Sequence, residues 1–164
     1  MERRNFVKAL AAAGVATLVT RAGISEAKCP NGCNCPKCNG KYKSYKDDSE
    51  LNRLTNKETP SILEKKHVPL VIAPKEVKKG QWFQVEVKVG FQIEHPSTPG
   101  HWIEEITILV DGKKISELEN EIGGIASPNG YFTIRLNESA TIEAIADCNL
   151  HGKWISEPVK IKVS

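Results

Sequence analysis

The feature that most constrains this chain is a period-two alternation that begins near Pro69. Val85, Val87 and Val89 alternate with Glu86 and Lys88, and Ile106, Ile108 and Val110 repeat the scheme. Successive strand residues point to opposite faces, so such a run buries one face and wets the other. Asp111-Gly112 follows directly and predicts a hairpin into a strand over 113–118. Further strands are expected over 70–73, 131–136, 140–146 and 159–163, with a turn at Asn129-Gly130. Seven or so short strands with frequent turns predict an all-β fold, an antiparallel sandwich of immunoglobulin-like type, over residues 61–164. No glycine-rich phosphate loop interrupts the pattern. The 164 residues leave room for one such domain plus extensions, and the net charge of +3 comes from lysines scattered among glutamates. Nucleic-acid binders concentrate basic charge on one face, so no nucleic-acid partner is expected.

Upstream the composition changes twice. Residues 1–27 read as an export signal: Arg3-Arg4-Asn5-Phe6-Val7-Lys8 has the form of a twin-arginine motif, an apolar run follows, and Ser25-Glu26-Ala27 resembles a cleavage site. The run is shorter than the roughly 20 residues that cross a bilayer, so no stable membrane span is expected after its removal. A periplasmic or otherwise exported location follows. Residues 28–60 form a Cys-rich segment and linker. Cys29, Cys33, Cys35 and Cys38 fall within ten residues whose prolines and glycine force turns. Four thiolates suit a second iron or a zinc, and two disulfides or simply reactive thiols are the competing readings. Residues 48–56 are read as a helical turn or two. Thr59-Pro60 resembles a helix N-cap and first position, opening a short helix that ends before His67 because Pro69 blocks its continuation.

The β domain holds all four histidines of the chain and one isolated cysteine. His67 stands at the start of the domain. His95 and His101 share a loop stiffened by Pro96, Pro99 and Gly100, and Cys148 and His151 share a loop near the last strand. Singly, each histidine is an ordinary surface residue. Loops at one end of a sandwich converge, however, and would bring all five side chains together. Structural zinc is satisfied by four ligands, so a fifth argues against it. Imidazole suits iron, copper and nickel, and thiolate suits redox-active centres. The ligand set therefore points to a redox iron with one position open to a small oxygen species. Trp82, Trp102 and Trp154 are expected in the core, the last two shielding the rim of that site.

His67-Val68-Pro69, His95-Pro96, His101-Trp102 and Cys148-Asn149-Leu150-His151-Gly152-Lys153-Trp154 resemble the signature of superoxide reductases, the neelaredoxin and desulfoferrodoxin family, in order and in the His-x5-His and Cys-x2-His spacings. The resemblance covers roughly residues 61–164. It implies a ferrous ion with His67, His95, His101 and His151 in its equatorial plane and Cys148 axial. It implies an enzyme that reduces superoxide to hydrogen peroxide without releasing dioxygen. By position Lys66 is the catalytic cation that attracts superoxide. Lys65 stands where the family often has a glutamate, with Glu64 one residue further back, so a glutamate cap on the iron is not expected. Desulfoferrodoxins carry a four-cysteine iron site on the N-terminal side, but the spacing at Cys29–Cys38 differs from theirs. The resemblance further implies an electron donor of rubredoxin type or another redox protein, and a homo-oligomer. Two other readings are a non-catalytic carrier of sulfur-oxidation type, which residues 124–132 resemble, and an iron-binding sensor. A carrier of that kind would present a cysteine on a glycine-rich arm, where this sequence has Lys162-Val163-Ser164.

Overall fold

The computed structural model describes residues 49–164. The expected export signal and Cys29, Cys33, Cys35 and Cys38 lie outside the described residues. One short helix, α1 (Ile62–His67), leads into nine strands: β1 (Pro69–Ile72), β2 (Glu76–Val77), β3 (Trp82–Val89), β4 (Ile103–Val110), β5 (Lys113–Glu119), β6 (Gly130–Arg135), β7 (Ala140–Cys148), β8 (Gly152–Ile155) and β9 (Val159–Val163). They form two sheets. One runs β1-β3-β6 and the other β2-β9-β7-β4-β5, with β8 paired to β7.

The all-β expectation holds, and the alternation is its cause. β3 and β6 bury every second residue. Val85, Val87, Val89, Phe132 and Ile134 of the small sheet meet Ile106, Ile108, Ile142, Ala144 and Ile161 of the large one in a single apolar core. The predicted Asp111-Gly112 hairpin is present, with φ of 50° and 75° at its two turn residues, the left-handed pair that matches strand twist. Three details differ from expectation. β2 and β8 are too short to show periodicity. The β2–β9 pair is parallel, so the sheet is mixed. The turn after β5 falls at residues 123–125, and Asn129 instead takes the N–H of Val89 on its Oδ1.

β4 is buried on both faces across Ile106–Leu109, which a half-wet strand would not be. Its second face is covered by a smaller cluster of Leu51, Leu109, Ile145 and Ile155. Residues 49–56, expected to be helical, instead run alongside β8. The Asn52 N–H donates to the Lys153 carbonyl (2.8 Å), and Ile155 N–H donates to the Asn52 carbonyl (3.0 Å). The packed domain thus begins about ten residues before residue 61. Asn52 also donates its side-chain amide to Lys153 O (3.1 Å), so this strap ends beside the Cys148–His151 hairpin.

Helix α1 starts two residues later than Thr59-Pro60 suggested. Ser61 is the N-cap and Glu64 completes a reciprocal capping box: Glu64 N–H donates to Ser61 Oγ and Ser61 N–H donates to Glu64 Oε2. Thr55 adds its N–H and its hydroxyl to Glu64 Oε1, both at 2.7 Å. Those donors pull the Glu64 carboxyl down to about 2. The helix runs through His67 and stops at Val68, whose extended backbone is what a following proline requires.

Leu51→Ala should cost about 2–3 kcal/mol in urea unfolding, the lower range for a buried leucine truncated beside few neighbours. Ile115→Ala, on the exposed β5 edge, should change stability by no more than about 0.5 kcal/mol. Equal effects would show that the strap carries no core packing.

Candidate metal centre

Three local structures deliver the five side chains. The first is the end of α1. There the His67 Nδ1–H donates to the Leu63 carbonyl one turn back (2.7 Å), which turns Nε2 away from the helix. The Trp154 ring stacks on the imidazole at 5.2 Å. His67 and Trp154 are buried at 1% and 7% exposure.

The second is the segment between β3 and β4. Its turn at Gly90 has φ +91°, and a Cβ there would lie 2.0 Å from the Ile93 carbonyl oxygen. Only glycine allows that approach. The Lys65 carbonyl accepts the N–H groups of Gln92 and Ile93, tying α1 to this segment. His95 N–H bonds Val89 O, and its Nδ1–H donates to Pro96 O (2.7 Å), leaving Nε2 directed inward. Thr98 and His101 then exchange backbone hydrogen bonds across Pro99-Gly100, so the stiffened loop is a tight turn that holds His101 beside His95.

The third is the β7–β8 hairpin. Cys148 is the last residue of β7 and pairs with Gly152, so only three residues form the connection. Cys148 was expected in a loop. Its place on a strand gives the sulfur a fixed bearing and 2% exposure. Gly152, at φ +68°, makes the reversal that returns His151 over the thiol.

The result is a closed ring of imidazoles. Adjacent centroids are separated by 4.7 Å (His67–His95), 4.5 Å (His95–His101), 4.9 Å (His101–His151) and 4.6 Å (His151–His67). The His67–His101 diagonal is longer, at 5.9 Å, and neighbouring planes are inclined by 65–77°. Ligand atoms of His67, His95, His101 and Cys148 lie within 4.8 Å of one another. The His151 Nδ1 closes the set at 3.0 Å from His67 Nε2 and 3.5 Å from Cys148 Sγ. Nε2 of His67, His95 and His101 thus faces the centre, whereas His151 presents Nδ1.

The electrostatics of this set call for a cation. The Nε2 atoms of His95 and His101 are buried without a hydrogen-bond partner, a costly arrangement unless something accepts their lone pairs. Burial holds the His95 imidazole down at about 4 and lowers His67 and His101 as well, so all three are uncharged at neutral pH. Burial pushes the Cys148 thiol up, although the N–H groups of Leu150 and His151 oppose it. A metal ion reverses that preference, because a coordinating thiol is deprotonated outright. Four nitrogens and one soft sulfur fit an iron centre.

Lys66 is half-buried beside His67, and its charge contributes to lowering both His67 and His101. Glu64 is turned into the capping box, with both carboxylate oxygens engaged. Trp154 lines the site as expected, and Trp102, half-buried, donates its indole N–H to Asn120 O. Trp82 does not join the core. It is 59% exposed, with the Arg135 guanidinium 4.8 Å from its ring, because its outward register on β3 faces solvent. The carbonyls of Leu63 and Pro96, which orient two of the rings, carry no side-chain signal that a sequence could display. A second acidic group, Glu105, Glu117 and Glu119, lies on β4 and β5, where Lys114 pairs with Glu105 and Glu117.

Comparison with known proteins agrees with this geometry. The family model for desulfoferrodoxin matches residues 59–157. The chain is 36% identical over 103 residues to a superoxide reductase of Thermococcus kodakarensis, covering 56% of this chain and 84% of that one. It is 30% identical over 105 residues to a desulfoferrodoxin of Desulfarculus baarsii, covering 64% and 72%. The solved superoxide reductase (neelaredoxin) of Ignicoccus hospitalis superposes with a TM-score of 0.61 at 32% identity, covering 74% of this chain and 100% of that one. With the domain matched across most of its length and its ring of histidines closed, the chain belongs to the desulfoferrodoxin family, among the superoxide reductases.

Proposed function

We propose that this protein is a superoxide reductase, and that the ring of four imidazoles with the Cys148 sulfur beside it carries the activity. Nε2 of His67, His95 and His101, Nδ1 of His151 and Sγ of Cys148 would hold the iron. A ferrous ion bound there supplies the one electron that, with two protons, turns superoxide into hydrogen peroxide. The chain supplies the rest. Neutral imidazoles add no charge, so the thiolate of Cys148 is the one anionic donor among them. Trp154 closes the inner side of the ring over His67 and keeps water from that face. His151 and Leu150 are exposed, leaving the hairpin side as the approach for a small anion. Lys66, whose charge reaches both His67 and His101, would attract superoxide with Lys65 beside it in sequence. Glu64 is held in the helix cap, so it is not available to block the open position.

The same reading extends to the rest of the chain. Arg3-Arg4 and the apolar run after it support export through the twin-arginine route to the periplasm. An exported enzyme takes its electrons from a redox protein on its own side of the membrane, of rubredoxin type. Cys29, Cys33, Cys35 and Cys38 supply enough thiolates for a second iron or zinc. The two-sheet domain is of immunoglobulin-like type, and a homo-oligomer is the expected assembly.

Pulsed superoxide mixed with the reduced, iron-loaded protein should give one hydrogen peroxide per superoxide and no dioxygen. Dioxygen release, or no turnover, would favour a dismutating centre or an iron sensor. Lys66→Ala should slow superoxide capture on the order of tenfold at low salt while iron content stays unchanged, and the difference should shrink as salt is added. Equal capture rates at low salt would remove Lys66 from the mechanism.

Acid acts on the imidazoles in a defined direction. The unfolded chain takes up protons on its histidines near pH 6.5. Folded His95 resists until about 4, and His67 and His101 are also lowered. The metal-free protein should therefore lose stability as pH falls from about 6.5 towards 4, as followed by urea unfolding. His95→Ala should flatten part of that slope, and an unchanged slope would contradict the burial assigned to this ring.

A further inference from the structure

The four imidazoles are not oriented alike. His67 and His95 each donate Nδ1–H to a backbone carbonyl, the usual device that fixes a ligating ring. His101 has no such acceptor for its ring among the described residues, and its Nε2 is buried and unpartnered. What fixes it is the backbone on either side, and that backbone is gripped by Asn149. The Asn149 side chain accepts the Trp102 N–H on Oδ1 (3.0 Å) and donates Nδ2–H to the Gly100 carbonyl (3.1 Å). One carboxamide thus pairs with the peptide groups immediately before and after His101. The Asn149 N–H adds a third bond, to the Trp102 carbonyl (3.3 Å). Asn149 itself stands between Cys148 and His151 in the three-residue hairpin connection.

We infer that Asn149 is a positioning residue that clamps the His101 turn to the Cys148–His151 hairpin and so sets the place of His101 in the ring. The inference rests on the reading that these five side chains hold iron. Residue type matters, since the clamp needs one acceptor and one donor on a single short side chain. Ionised Asp has no donor, Ser is too short to span both peptides, and Gln places its amide one carbon further out. Thr98 contributes from the other side, with its backbone and hydroxyl bonded to His101, but those bonds lie within the same turn and do not tie it to the thiolate. Among the described residues, Asn149 alone has side-chain hydrogen bonds that tie the His101 turn to the Cys148–His151 hairpin.

The test is a double-mutant cycle on ferrous-ion affinity, measured on the full chain by competition with a chromogenic chelator. Asn149→Ala should weaken iron binding by about 10- to 100-fold, the range found when a supporting partner of a metal ligand is removed. It should also move the thiolate-to-iron absorption band of the oxidised protein. In a His101→Ala background the same substitution should weaken binding by no more than about threefold, because the ring it positions is gone. A loss of equal size with and without His101 would mean a general effect on the hairpin, and would overturn the inference. Should Asn149→Ala fold poorly, Asn149→Asp keeps the acceptor for the Trp102 N–H and loses the bond to Gly100. The effect of its added charge on iron persists with or without His101 and cancels in the cycle, so the dependence on His101 should remain. Wild-type protein that binds ferrous ion with an unchanged Asn149→Ala would overturn the clamp alone. Wild-type protein that binds no ferrous ion would overturn the clamp and the reading beneath it.

Discussion

The structure depends on holding three imidazoles that burial keeps uncharged, those of His67, His95 and His101, against His151 and the Cys148 thiol. Left to themselves such groups would take water or protons. Here burial removes the water, and the lowered titration of His67, His95 and His101 removes the protons. What remains is a cluster of lone pairs pointed at a common centre. A sandwich suits this task because its edges are rigid where its loops are short. α1 is anchored by a capping box, the middle segment is pinned by Gly90 and the Lys65 carbonyl, and the hairpin connection is only three residues long. Each ligand thereby arrives on a support whose backbone hydrogen bonds are already made.

Much of this was legible in the sequence. Alternation at Val85–Val89 located β3, because burial on one face leaves a period-two trace, and the alternating isoleucines of Ile106–Val110 located β4 although the strap and β8 bury its second face too. The ligand set was legible because histidine occurs only four times and each copy falls within two residues of a proline or glycine. The strap at Leu51 was not legible: Leu51 and Leu54, three apart in a polar stretch, suit a helical turn, and nothing there marks an extended segment. β2 and β8 escaped because they are too short to show periodicity. Trp82 misled because aromatic size suggests burial, whereas its register on β3 decides its side and sends it to solvent. The helix start was displaced because Thr59-Pro60 carries a cap signal of its own, and the deciding partner was Glu64, three residues beyond Ser61.

Glu64 shows how one residue's local duty limits its chemistry. A carboxylate so near the first histidine is a natural candidate to cap an iron. Three hydrogen-bond donors from Thr55 and Ser61 and its lowered titration commit it to the helix instead. Lys65 and Lys66 are then the charged side chains that α1 sets directly before His67, a placement that suits attraction of a small anion.

The central claim is a single iron bound by four imidazole nitrogens and one thiolate, and iron-edge X-ray absorption of the reduced, iron-loaded protein tests it most directly. The account predicts five protein donors, four of them nitrogen and one sulfur, with the sulfur absent in Cys148→Ser. A four-coordinate shell, or a spectrum without sulfur in the unaltered protein, would contradict it.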